Sequence, residues 1–162
     1  MIGLRTKSAD DTREVASRIG MLAAAGDVLL LGGDLGAGKT TFTQGLARGL
    51  GIDEQVTSPT FVIMHTYAGR VRLHHVDLYR MDSLHDVHEL GLPEMFDGDA
   101  VSVIEWGELA TPAIAADFLE VRIELAELDD PDDERLMRLR PVGPSWAGRM
   151  GRLEASVGRW TA

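Results

Sequence analysis

The sequence predicts a single α/β domain in which a mixed, largely parallel sheet is flanked by helices and carries an antiparallel hairpin. The first observation is a continuous apolar run, Val28 to Leu31, typical of a strand buried on both faces of a sheet. The second is the glycine-rich stretch that follows it, Gly32 to Gly38. The third is the spacing of Phe42, Leu46 and Leu50, which places them on one stripe of a helix. Together they favour an α/β fold.

Patterns on both sides of this unit supply the other elements. Ser8, followed by Asp10 and Asp11, is typical of a helix N-terminus, and apolar residues at helical spacing continue this helix to about Ala25. Further along, apolar runs and alternation predict one broken helix over residues 83–96 and five strands. The strands are Phe61–Tyr67 and Arg70–Leu78, which form the hairpin, then Val101–Ile104, Leu119–Leu125 and Leu136–Val142. We assign residues 1–142 to one domain and residues 143–162 to a basic, weakly specified tail.

Composition excludes several classes of protein. The chain has 162 residues and no cysteine, which excludes disulfide frameworks, cysteine nucleophiles and thiolate metal sites. No apolar run approaches the roughly 18 residues of a membrane span. Arg5 and Lys7 are followed by Asp10 and Asp11 where a signal peptide would be apolar. We therefore expect a soluble, cytoplasmic protein with no membrane association.

Charge divides the chain into three parts. Residues 1–80 carry nine basic and eight acidic side chains, whereas residues 81–134 carry one basic and seventeen acidic ones. Residues 135–162 carry six basic side chains and one acidic one. The acidic middle part disfavours broad wrapping of a nucleic acid, because it repels phosphates. The basic tail is predicted to be a solvated segment that partly neutralises its acidic neighbour, with contact to RNA or an acidic partner as the alternative. Its Trp146 and Trp160 are predicted either to dock on the chain's own core or to form a surface that binds a partner or RNA.

The most specific motif is Gly33-Asp34-Leu35-Gly36-Ala37-Gly38-Lys39-Thr40, which fits the phosphate-binding pattern G-x-x-x-x-G-K-[ST] without exception. Its glycines let the backbone approach an anion, and successive N–H groups form a nest for phosphate oxygens at the start of a helix. Lys39 is expected at the β- and γ-phosphates, and the Thr40 hydroxyl at Mg²⁺. The predicted class is therefore a P-loop NTPase.

Two carboxylates are candidates for the acidic residue that such a site needs. Asp77 ends one predicted strand and Glu105 directly follows another, so both lie at the edge of the sheet where ligands bind in α/β proteins. ATP is favoured over GTP because the chain lacks the Asn-Lys-x-Asp guanine-reading motif. His75 shares a strand face with Asp77 and is predicted either to support this site or simply to pack in the sheet. His85 and His88 are predicted as solvated helix residues rather than zinc ligands.

Four segments in order give the chain a family resemblance. They are Gly33 to Phe42, Thr57-Ser58-Pro59-Thr60-Phe61, His75-Val76-Asp77-Leu78-Tyr79-Arg80 and Ile104-Glu105-Trp106. Over residues 8 to about 140 the chain resembles the bacterial TsaE family, the ATPase subunit of the machinery that makes threonylcarbamoyladenosine in tRNA. The resemblance implies Mg²⁺-dependent ATP binding and hydrolysis, acting with TsaB and TsaD on tRNAs that read codons beginning with adenine. It implies that tRNA is reached through the complex.

The resemblance also implies roles for individual residues. Asp77 and Glu105 are the implied catalytic residues, either of which orients the attacking water, and with Thr40 they are the implied metal ligands. Thr57, Ser58, Pro59 and Thr60 match a switch-like loop that senses the γ-phosphate. The implied nucleotide-binding residues are Thr12, Asp34, Leu35, Gly36, Ala37, Gly38, Lys39, Thr40, Thr41, Trp106 and Arg135.

Two other functions remain open at this point. A small-molecule kinase would consume ATP only with an acceptor, and its usual arginine-bearing lid is not evident in residues 81–134, where Arg122 is the only arginine. An ATP-dependent binding module would bind partners with little turnover. No arginine that could complete the site is evident after the switch-like loop, so we expect slow hydrolysis by the isolated chain and stimulation by its partners.

Overall fold

The computed structural model describes residues 1–58, 64–78, 89, 91, 98–106, 117–126 and 133–162. Within them, seven strands form one sheet. The strands are β1 (Ile2–Thr6), β2 (Val28–Gly32), β3 (Met64–Tyr67), β4 (Arg72–Asp77), β5 (Ala100–Glu105), β6 (Phe118–Leu125) and β7 (Arg135–Val142). The helices are α1 (Ala9–Leu22), α2 (Lys39–Gly49), α3 (Pro144–Ala147), α4 (Met150–Val157) and a 3₁₀ turn, Gly158–Trp160.

The sheet is parallel at its centre and antiparallel at its edges. Its strand order is β1-β7-β6-β2-β5-β4-β3. β2 runs parallel to both β5 and β6, and β5 runs parallel to β4. The carboxyl ends of these four strands therefore meet at one edge, which we call the carboxyl edge. The predicted mixed sheet flanked by helices is confirmed, as is the antiparallel pairing of β3 with β4.

Helices α1 and α2 cross with their backbones unusually close together. A Cβ atom added to Gly45 would lie 2.2 Å from the carbonyl oxygen of Arg13, and one added to Gly49 would lie 2.2 Å from that of Ser17. On the facing helix, a Cβ on Gly20 would lie 2.5 Å from the carbonyl oxygen of Leu46. Glycine at these three positions allows the contact, which fixes α2 and the loop before it relative to α1.

Strand β1 is an element that the sequence patterns did not predict. It pairs antiparallel with β7, with Ile2 opposite Leu139 and Leu4 opposite Met137. Ile2 and Leu4 are buried while Arg5 is exposed, so the strand has the alternation of a half-buried edge. The first helix also ends at Leu22, earlier than the expected Ala25. The carboxylate of Asp27 accepts a hydrogen bond from the amide of Ala24 in the turn that follows.

Residues 143–162 form α3, α4 and the 3₁₀ turn, so this segment is better ordered than the sequence indicates. Trp146, Leu153, Val157 and Trp160 are buried in the same core as the sheet. Burial of both indole rings favours docking on the chain's own core over an exposed aromatic surface for a partner. The guanidinium of Arg149 holds the segment in place through two 2.6 Å hydrogen bonds to the carboxylate of Asp27.

Some expectations fall outside the described residues. One is the helix predicted over residues 83–96, with His85 and His88, of which only positions 89 and 91 are described. Another is the start of the strand predicted from Phe61 to Tyr67, which is described only from Met64 onward. In the part of the chain that is described, no helix is both long and apolar enough to cross a bilayer.

Candidate functional site

The glycine-rich loop, residues 33–40, connects the central strand β2 to α2 at the carboxyl edge. Gly33, Gly36 and Gly38 have φ values of 147°, 81° and 109°, a region that other residues rarely adopt. Gly33 also has no room for a side chain, because a Cβ there would lie 2.4 Å from the carbonyl oxygen of Ile123. The sequence forms this loop because glycine stands at each position that needs positive φ or close contact.

Lys39 is folded back onto the loop. Its Nζ donates hydrogen bonds to the carbonyl oxygens of Gly33 (2.8 Å) and Asp34 (2.9 Å), and its side chain is almost fully buried. The ammonium also lies 4.4 Å from the centre of the Trp106 ring, which adds a cation–π contact. A positive charge is thus held within the curve of the loop.

Helix α2 begins directly at Lys39, with Gly38 as its N-cap and no side-chain hydrogen bond at the cap. The first amide groups of a helix lack partners within the helix and carry the positive end of its dipole. Thr40 and Thr41, in this first turn, are half-buried. The loop and the helix start therefore form a site of the kind that binds phosphate groups.

The remaining loop residues differ in exposure. Asp34, Leu35 and Gly36 are exposed, and Leu35 is 80% accessible although it is apolar. Ala37 is buried, and its carbonyl oxygen accepts a hydrogen bond of 2.9 Å from Nε of Arg135. This bond places Arg135, the first residue of β7, against the glycine-rich loop.

The two candidate carboxylates are brought together by the sheet. Asp77 and Glu105 are register partners on the parallel strands β4 and β5. Glu105 is also the register partner of Leu31, just before the glycine-rich loop. Asp77 is half-buried, whereas Glu105 is only 3% exposed. Their position at the ends of two neighbouring strands is the one that the sequence predicted.

Glu105 and His75 form a buried pair. Nε2 of His75 lies 3.1 Å from Oε1 of Glu105, and His75 is fully buried. The residue after Glu105, Trp106, has a positive φ of 61°, and its amide donates to the carbonyl oxygen of Leu31. The sequence placed His75 on the face of Asp77, but only the fold shows that its ring contacts Glu105.

The other predicted site residues differ in burial, and two of them lie outside the described residues. Thr12, near the start of α1, is buried, and its hydroxyl lies 3.0 Å from that of Thr6. Thr57 is exposed and Ser58 half-buried, while Pro59 and Thr60 lie outside the described residues. The nucleotide-binding role of Thr12 and the sensing role of the switch-like loop stay predictions.

Sequence reasoning missed Gln44. Its amide nitrogen donates to the carbonyl oxygen of Val56 at 3.2 Å, and its amide oxygen accepts from Nε of Arg13 at 3.2 Å. It thus links α1 and α2 to the residue before the switch-like loop. Nothing in its spacing distinguishes Gln44 from an ordinary exposed helix residue, so the sequence carried no signal for this role.

The candidate metal ligands are all oxygen donors. Thr40, Asp77 and Glu105 supply a hydroxyl and two carboxylates, which suit Mg²⁺. Among the described residues, no group of three or more histidine and acidic side chains is arranged to hold a metal by itself. Such a donor set fits a cation that keeps several waters and shares its coordination with phosphate oxygens.

The fold and site define a class: α/β proteins in which a glycine-rich loop with a buried lysine joins the central strand to a helix, beside two strand-end carboxylates. The family model described as "Threonylcarbamoyl adenosine biosynthesis protein TsaE" matches residues 6–136. The chain belongs to the TsaE family.

Relatives named "tRNA threonylcarbamoyladenosine biosynthesis protein TsaE" match most of the chain. The protein of Treponema pallidum is 44% identical over 80% of this chain and 94% of its own length. That of Bacillus subtilis is 43% identical over 86% of this chain and 85% of its own. A crystal structure of Bacillus subtilis YdiB superposes with a TM-score of 0.78 at 37% identity, covering 98% of this chain and 97% of that one. The likeness to this structure extends into residues 143–162, beyond the segment that the family model matches.

Proposed function

We propose that this protein binds ATP with Mg²⁺ and hydrolyses it as the ATPase of threonylcarbamoyladenosine formation in tRNA. The observation that carries the proposal is the arrangement at the carboxyl edge. The buried ammonium of Lys39 lies within the glycine-rich loop, and Asp77 and Glu105 end the neighbouring strands. Family membership supports the role in tRNA modification.

The chemistry follows from what each group can donate or accept. The loop amides and Lys39 bind the phosphate chain of ATP, and Thr40 and Asp77 would hold Mg²⁺ beside it. Mg²⁺, when bound, offsets negative charge on the phosphate oxygens. For Lys39 to reach a γ-phosphate, its Nζ must exchange the carbonyl oxygens of Gly33 and Asp34 for phosphate oxygens. Charged oxygen acceptors favour that exchange.

In the hydrolytic step, the oxygen of a water molecule forms a bond to the γ-phosphorus. The bond from phosphorus to the β–γ bridging oxygen breaks, and its electron pair leaves with ADP. One proton of the water remains on inorganic phosphate and the other is released to solvent. Positioning of the water and stabilisation of charge supply most of the rate in reactions of this type.

We further propose that TsaB and TsaD are the protein partners and that tRNA is reached through their complex. The seventeen acidic residues of the segment 81–134 support indirect contact, because they would repel the tRNA backbone. A cytoplasmic location follows from this role. Turnover by the isolated chain is expected to be slow, with the partners supplying what the site lacks.

A phosphate-release assay with and without TsaB and TsaD tests the proposal. We expect turnover that rises when both partners are present and that Lys39→Ala removes. Lys7→Ala is the matched control, because Lys7 is the one other lysine in the chain and is exposed. ADP formation without phosphate release, unaffected by the partners and dependent on an added phosphoryl acceptor, would indicate a kinase. Partner binding that needs ATP but proceeds without phosphate release would indicate a binding module.

A further inference from the structure

His75 and Glu105 form a polar pair inside the sheet, away from solvent. His75 is fully buried and Glu105 is 3% exposed, and Nε2 of the imidazole lies 3.1 Å from Oε1 of the carboxylate. His75 is opposite Val103, and Asp77 is opposite Glu105, on the parallel strands β4 and β5. Because side chains two residues apart share a face of a strand, the pair lies on the same side of the sheet as Asp77.

The hydrogen bond fixes where the ring carries its proton. With Oε1 of Glu105 as the acceptor, Nε2 of His75 is the donor. Nδ1 of the same ring is buried and has no hydrogen-bond partner among the described residues. A second proton there would be a buried donor without an acceptor, which costs free energy. The ring is therefore best described as directing its Nε2 at one oxygen of Glu105.

Simple packing does not account for a histidine at this position. A leucine would fill a similar volume between the strands without leaving a buried nitrogen unpaired. A buried polar atom without a partner costs free energy, and such costs are typical of functional sites. What His75 provides in return is a directed hydrogen bond to a carboxylate at the carboxyl edge.

We propose that His75 is a positioning residue for ATP hydrolysis, which holds Glu105 by Oε1 so that Oε2 accepts a hydrogen bond from the attacking water. The inference rests on the proposed ATPase function and assigns the water-orienting role to Glu105. Asp77, which is half-buried and ends the next strand, then serves the metal. Hydrogen-bond partners that orient the ligands of a metal site typically change activity 10- to 100-fold when removed, and we expect a similar effect for the partner of Glu105.

The test compares His75→Gln with His75→Asn. The glutamine amide places its nitrogen about as far from the backbone as Nε2, whereas the asparagine amide reaches only the position of Nδ1. We expect His75→Gln to keep most of the wild-type kcat and His75→Asn to lose about tenfold or more, with KM for ATP changed less than about twofold. His74→Leu is the control, since His74 points to the opposite face and contacts Thr66.

A double-mutant cycle with Glu105→Gln shows whether His75 acts through Glu105. We expect His75→Asn to cost nothing further once Glu105→Gln is present, because the residue that it positions is already lost. Additive losses would overturn the inference, as would equal kcat values for His75→Asn and wild type. If wild type itself releases no phosphate even with TsaB and TsaD, the proposed function fails and the inference fails with it. Wild-type turnover thus distinguishes the two failures.

Discussion

At the scale of single residues, long-range polar contacts tie the two ends of the chain together. Nε1 of Trp160 donates to the carboxylate of Asp11 at 3.0 Å, near the start of α1. The other carboxylate oxygen of Asp11 accepts from the backbone amide of Lys7. The hydrogen bond from Trp160 is the main reason that the pKa of Asp11 lies below its ordinary value of 3.8. The charged form of Asp11 therefore stabilises the folded chain.

This pKa shift predicts a pH dependence of stability. Because the folded-state pKa is lowered, the stabilisation is fully present above pH 3.8 and is lost as the pH falls through the lowered value. We expect Asp11→Asn to reduce the urea midpoint near pH 7 and to have progressively less effect below pH 3.8. Asp53→Asn, at an exposed position in a loop, is the control. An equal loss for Asp11→Asn at every pH would contradict this assignment.

Individual site residues were predictable where local chemistry specifies them. The glycines and Lys39 follow from the motif, and Asp77 and Glu105 follow from their places at strand ends. Contacts between distant residues were not predictable in the same way. Arg135 reaches the carbonyl oxygen of Ala37 across 98 positions, and no local pattern identifies which backbone atom an arginine will meet.

At the scale of elements, the crossing of α1 and α2 sets where the glycine-rich loop meets its helix. Gly45 lies against the backbone of Arg13, with no space for a methyl group. Helical periodicity predicted both helices, but not that they would pack through glycines. Where the predicted strands are described, their observed boundaries differ from the predicted ones by a few residues at most. Alternating and continuous apolar residues predict strands well because these patterns reflect which side chains are buried.

Gly45→Ala is expected to destabilise the protein by about 1–3 kcal/mol, because the methyl group forces the two helices apart. Gly151→Ala is a matched control in α4, where a Cβ meets nothing within 4 Å. There the change should stabilise the chain by about 0.5–1 kcal/mol, since alanine favours helix over glycine. Denaturant unfolding of both variants checks this, and a neutral Gly45→Ala would show that the helices separate easily.

Strand β1 is an example of an element that local sequence patterns alone could not predict. Ile2, Leu4 and Thr6 alternate with Gly3 and Arg5, so a strand signal was present but short. Its partner β7 lies more than a hundred residues away, with Thr6 opposite Arg135. Such a pairing depends on tertiary packing, which supplies the hydrogen bonds that an isolated five-residue segment cannot keep.

At the scale of the whole molecule, residues 143–162 complete the core rather than extend away from it. Trp146 is fully buried, and Arg149 stacks on its ring at 4.1 Å while bonding Asp27. The order of this segment was not predictable from its many glycines and arginines, because neither residue type indicates whether a position is buried. The aromatic and aliphatic residues among them carry the packing, and their spacing alone did not show which surface they would cover.

Every function proposed for this protein requires that the glycine-rich loop and Lys39 bind the phosphates of ATP. Isothermal titration calorimetry of wild type and Lys39→Ala with ATP and Mg²⁺ tests it most directly, with Lys7→Ala as the control. We expect one site per chain in wild type and Lys7→Ala, and no measurable binding in Lys39→Ala. Unchanged affinity in Lys39→Ala, with the variant folded, would contradict it.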